Sequence, residues 1–104
     1  MAIQVTSELL DGCVLSVLAR ADAYAYSLAQ ALKGDLGISE STLYPVMRRL
    51  QTDACLTVYD VPHNGRNRRY YRITERGLEK SRACQREWID FKRRIDGILM
   101  EGTQ

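Results

Sequence analysis

The sequence predicts a mostly helical α+β fold with one small β-hairpin, on three observations. Apolar residues recur at helical spacing over most of the 104-residue chain. Two β-prone runs, Leu56 to Val61 and Arg68 to Thr74, flank a polar turn containing Asn64-Gly65. A last helical stretch, from Glu75 to about Leu99, carries an apolar stripe too long for so small a body to cover alone. At 45 % apolar and 27 % charged, the composition is that of a single globular domain.

The first helix is expected over Ser7 to Arg20. Thr6 or Ser7 can cap it, Glu8 suits its first turn, and Leu10, Val14, Val17 and Leu18 share a face. Gly12 weakens it slightly. Asp22 is placed to cap a second, short helix from Ala23 to Lys33, with Ala25, Leu28, Ala29 and Leu32 inward. Gly34 and Gly37 mark its stop and the following turn.

Ser39 opens a third helix that reaches Thr52 or Asp53. Leu43, Val46, Met47 and Leu50 face inward; Ser41, Pro45, Arg48 and Thr52 lie opposite, with Tyr44 and Arg49 on the flanks. Pro45 sits past the free first turn, so it should remove one helical hydrogen bond. Beyond the hairpin, with its turn over Pro62 to Asn67, Thr74 can cap the fourth helix. There Cys84, Trp88, Phe91, Ile95 and Ile98 recur at alternating spacings of four and three, a heptad-like seam widened by Leu78, Ile89 and Leu99. The simplest cover for that seam is a second copy of the chain.

Composition argues against catalysis and against a metal or other cofactor. Cys13, Cys55 and Cys84 are far apart and odd in number, which suits neither a disulfide framework nor a zinc site, and they are expected to be reduced, half-buried thiols. His63 is the only histidine, and it lies in a turn-rich segment where a rigid nucleophile–base pair is hard to hold. No apolar run approaches the roughly 18–20 residues of a membrane span. The start of the chain shows no export signal, so a cytoplasmic protein is expected.

Charge is unevenly spread. Residues 1–38 carry a balance of −2, whereas residues 48–94 carry +7. Within residues 64–76 there are five arginines (Arg66, Arg68, Arg69, Arg72 and Arg76) against the single acid Glu75. Basic excess focused on one part of a small domain is the footprint of a polyanion binder.

Three helices, a basic-tipped hairpin and a trailing helix, in that order, describe a winged helix-turn-helix followed by a long C-terminal dimerisation helix. The division falls at residues 1–76 and 77–104. The third helix becomes the groove reader: Ser41 and Thr42 can donate to phosphates or base edges, Arg48 can fork onto guanine, and Tyr44 can reach the backbone. The wing brings Arg66 or Arg68 to the adjacent minor groove. Each feature alone has a plainer meaning, since hydroxyls cap helices and arginines solvate surfaces; order and spacing favour the joint reading. A winged helix used only for protein–protein docking is the alternative, and the arginine-rich wing speaks against it.

Leu28 to Leu50, with Gly37-Ile38-Ser39-Glu40-Ser41-Thr42-Leu43-Tyr44-Pro45 and Arg48-Arg49-Leu50, resembles the PadR family of bacterial transcriptional regulators. Gly65-Arg66-Asn67-Arg68-Arg69-Tyr70-Tyr71-Arg72-Ile73-Thr74 continues the likeness, as do Gly77 and the upstream Asp22-Ala23-Tyr24-Ala25-Tyr26. The likeness covers residues 9–78, and the tail length is similar to the short-tailed subgroup. It implies a homodimeric repressor on a palindromic double-stranded DNA operator, released by a small molecule such as a flat aromatic compound. The expected DNA-contacting set is Ser39, Ser41, Thr42, Tyr44, Arg48 and Arg49 from the third helix, with Asn64, Arg66 and Arg68 from the wing. Cys84, Trp88, Phe91, Ile95 and Ile98 are expected at the dimer interface. Trp88, with Phe91, either packs that seam or stacks on the effector. Two positions depart from the family pattern: Ala25 and Ala54 stand where glycine is usual, and Ala54 falls where a positive φ is expected to strain an alanine.

Overall fold

The computed structural model describes residues 3–101. Its elements run α1 (Ser7–Arg20), β1 (Ala23–Tyr24), α2 (Ala25–Leu36), α3 (Glu40–Thr52), β2 (Leu56–His63), β3 (Arg66–Ile73) and α4 (Glu75–Leu99). Residues 1 and 2 of the expected winged domain and 102–104 of the expected tail lie outside the described residues. The fold class is as predicted, with one strand more than expected.

Thr6 starts α1 by accepting the Leu9 amide at 3.2 Å. Leu10, Val14, Leu15 and Leu18 of α1 then meet Leu28, Ala29 and Leu32 of α2 and Leu43, Met47 and Leu50 of α3. Cys55, Leu56 and Tyr71 close the core from the sheet side. Cys55 is thus fully buried, deeper than the half-buried state expected; Cys13 and Cys84 are half-buried, and all three are free thiols.

The expected second helix is corrected at both ends. Ala23 and Tyr24 form a short strand against Tyr71 and Tyr70 of β3, so the helix begins at Ala25 and Asp22 caps nothing. The Asp22 carboxylate instead accepts the Tyr59 hydroxyl at 2.7 Å and Arg72 Nε at 3.1 Å, pinning this edge to the base of the hairpin. Gly34 lies inside α2, and the stop falls at Gly37, whose φ of 67° supplies the left-handed turn. Ala25 is buried with its methyl in the core.

The hairpin is longer than expected. β2 and β3 pair from Leu56↔Ile73 to His63↔Arg66, leaving a two-residue turn with φ 50° at Asn64 and 78° at Gly65. Both positive angles match the twist of the flanking strands, so pairing continues to the tip. Pro62 and Asn67, expected in the turn, are strand residues. Proline is tolerated there because β2 is an edge strand in the order β1-β3-β2.

α4 begins where Thr74 accepts the Gly77 amide at 3.1 Å. Its first half lies on α1: Ser16 and Ser81 share a 2.8 Å hydroxyl bond, and Cys84 rests on Gly12, where an added Cβ would stand 2.1 Å from the sulfur. At 1.5 Å per residue its 25 residues span about 37 Å. The outer half leaves the body behind, with Trp88 44 % and Ile98 77 % exposed and Ile89, Phe91 and Leu99 also open. Ile95 is half-buried.

Candidate nucleic-acid interface

The start of α3 faces solvent with a cluster of hydroxyls. Ser39 has the extended backbone of a cap, yet its Oγ lies 2.9 Å from Ser41 Oγ and 3.1 Å from Thr42 Oγ1 and caps no amide. Hydroxyls at the positive end of a helix dipole are chemically suited to a phosphate oxygen. Ser41, Thr42, Pro45 and Arg48 are exposed along the following turns, and Arg48 has no ion pair among the described residues. Gln30 on α2 donates to Glu40, fixing the start of α3 against the preceding helix.

Tyr44 is half-buried, and Arg49 from the same helix, its side chain 42 % exposed, reaches back to α1. Tyr44 packs against the edge of the core; burial first, then Glu40, raises its phenol pKa. The Arg49 guanidinium hydrogen-bonds Asp11 on α1, and Asp53 is 3.9 Å away. The Asp11 bond is the main reason that Arg49 holds its proton still more firmly than usual.

On the wing, Asn64 and Arg66 stand exposed at the tip, with Asn64 Nδ2 3.2 Å from His63 Nε2. Arg68 is half-buried and lies over the Tyr24 ring at 4.7 Å, an arrangement that stiffens it against the sheet. Tyr59 and Tyr70 stack at 5.5 Å and Arg72 covers Tyr59 at 5.1 Å, so the outer sheet face is a sheet of aromatic rings and guanidinium groups. Arg69 points to the other face. Tyr71 has its phenol pKa raised by burial, while Arg69 and then Arg48 pull it down. Arg69 belongs to the basic cluster but not to the expected contact set; strand alternation puts it on the same sheet face as buried Tyr71.

Where α4 leaves α1, a groove of about 720 Å³ opens, walled by Val5, Leu9, Cys13, Cys84, Trp88 and Phe91 and reached by Lys80. Trp88 and Phe91 are brought together there, whereas Ile95 and Ile98 lie farther along the helix. Burial pushes the Cys13 and Cys84 thiols up in pKa, which keeps them protonated and weakly nucleophilic. Among the described residues no cluster of three or more metal-ligating side chains exists, and no helix is long and apolar enough to cross a membrane.

A family model described as the transcriptional regulator PadR-like family matches residues 14–83. An uncharacterized protein of Lysinibacillus sphaericus is 34 % identical over 101 residues, covering 91 % of each chain. The solved structure of smu.1704 from Streptococcus mutans is 35 % identical with a TM-score of 0.87, covering 98 % of this chain and 95 % of that one. A PadR-like transcriptional regulator of Bacillus cereus is 26 % identical with a TM-score of 0.79, over 88 % of this chain and 91 % of the other.

Proposed function

This chain belongs to the PadR-like family of transcriptional regulators, and from that premise we propose that it is a homodimeric, sequence-specific DNA-binding repressor acting in the cytoplasm. The observation that carries the reading is the exposure of Ser41, Thr42 and Arg48 along α3 and of Asn64 and Arg66 at the wing tip, with Arg48 in no ion pair among the described residues. Recognition helix and wing thus each offer exposed donors and positive charge to a polyanion. The Ser39, Ser41 and Thr42 hydroxyls take phosphate, Arg48 reads a base edge or clamps a phosphate, and Asn64 and Arg66 extend the contact along the duplex. Arg49 and Tyr44 hold α3 in place from behind, and Arg68 braces the wing on Tyr24.

A duplex offers successive major grooves about 34 Å apart, so two copies of α3 must be held at that separation over a palindromic site. The open stripe of α4 from Trp88 to Ile98 is the surface to do this. Burying it against a second copy removes large apolar side chains from water. The groove walled by Trp88 and Phe91 suits a flat aromatic effector. Such a compound releases DNA only to the extent that it binds better to a dimer whose α3 helices are wrongly spaced.

Gel-shift titration of the purified chain against fragments of its own genome, its upstream region first, tests the reading. A shift that weakens steeply with salt is expected. No salt-sensitive shift with any fragment would leave a protein-docking winged helix as the better description.

A further inference from the structure

Asp11 is a carboxylate almost sealed from water, 4 % exposed, in a helix that touches both α3 and α4. It has two cationic partners on two different elements. Arg49 of α3 donates to one oxygen, and Lys80 Nζ of α4 lies 3.4 Å from the other. A buried carboxylate holds its partners because leaving it without them is costly. The apolar contacts of the surrounding core are non-directional. Charge-assisted hydrogen bonds have narrower geometry. Lys80 also reaches the groove between α1 and the outer half of α4. Whatever seats on α4 therefore adjoins a side chain whose other contact is the anchor of the recognition helix.

We propose that Asp11 is the positioning residue through which α4 sets the attitude of α3: Lys80 fixes the carboxylate relative to the long helix, and Arg49 fixes α3 relative to the carboxylate. In a dimer joined through α4, this link converts the placement of the long helix into the separation of the two reading helices. Arg49 thus acts on DNA through geometry, and Lys80 does so from outside the contact surface.

This role presupposes the DNA-binding reading, so the test begins by selecting an operator from a random duplex pool with the full-length protein. Binding is then measured on that operator and on versions with the half-sites moved one base pair closer or farther. Asp11→Asn keeps the side-chain volume and removes the charge; Lys80→Met keeps the packed stem and removes the ammonium. Both variants are expected to lose spacing discrimination by roughly three- to tenfold, the range of a coupling contact, while the dimer persists. Lys80→Met is expected to add nothing in the Asp11→Asn background. Lys92→Met, which removes the same charge from α4 where it pairs with Asp96, should leave discrimination intact. Unchanged spacing discrimination in folded Lys80→Met overturns the proposal, as does an equal loss in Lys92→Met. Should Asp11→Asn fail to fold, Lys80→Met with its Lys92→Met control decides the matter. Failure of the wild type to select any operator removes the DNA-binding reading itself, and this role with it.

Discussion

The Thr74 hydroxyl donates to the Ala54 carbonyl at 2.7 Å, and its oxygen accepts the Gly77 amide at 3.1 Å. One side chain thus joins the turn after α3 to the first turn of α4. Ala54 holds a φ of 61°, a left-handed conformation that costs an L-residue about 1–2 kcal/mol. Glycine relieves that strain but loses more entropy on folding, so Ala54→Gly should stabilise by roughly 0.5–1 kcal/mol. Thr74→Val should destabilise by about 1–2 kcal/mol, since both bonds vanish. Urea unfolding of the two variants measures both; a destabilised Ala54→Gly would show that the alanine is unstrained.

Gly12 is the point of closest approach between α1 and α4. A methyl there would meet Cys84 Sγ at 2.1 Å and its Cβ at 2.8 Å, so one helix must move. Gly12→Ala should gain helix propensity yet lose about 1–3 kcal/mol net from overpacking. Thermal melting followed by the fluorescence of Trp88, the only tryptophan, reads the loss and the local shift together.

Asp22 gives the fold an acid-sensitive edge. Its bond from the Tyr59 hydroxyl chiefly holds the carboxyl below its usual range; burial opposes this and Arg72 adds to it. A depressed folded pKa contributes stability above the ordinary carboxylate range and loses it as pH falls through the folded value. Asp22→Asn should therefore be less stable than wild type at pH 7, with the gap closing in acid. Urea midpoints across pH 2–7 check this, and a gap that stays constant would contradict it.

Arg66 and Arg49 should separate cleanly in solution. Arg66, exposed at the wing tip, is expected to contact phosphate, so Arg66→Ala should weaken binding to all duplexes and lower the salt slope by about 1. Arg49→Ala instead leaves Asp11 with only Lys80, and should destabilise the fold by about 1–3 kcal/mol. Salt titration of DNA binding beside urea unfolding distinguishes the two effects.

Elements set by local chemistry were legible before any coordinates. The bounds of α1 and α4 follow from Thr6, Thr74 and the apolar spacing between them, and Asn64-Gly65 announced its turn. Long-range pairing was hidden. Ala23 and Tyr24 are a strand only because Tyr70 and Tyr71 lie beside them, and Pro62 stays in β2 only because that strand is an edge. At the candidate interface, helical spacing put Arg48 outward, but the direction of Arg49 depends on Asp11, 38 residues earlier. The place of Arg68, expected with Arg66 at the minor groove, depends likewise on the Tyr24 ring beneath its guanidinium.

Sedimentation equilibrium of the protein on a selected operator duplex tests most directly whether α4 joins two copies to read one site. The expected mass is that of the duplex plus two chains, with the free protein already a dimer at micromolar concentration. A lone chain on the duplex, or a free monomer that leaves every duplex unbound, would contradict it.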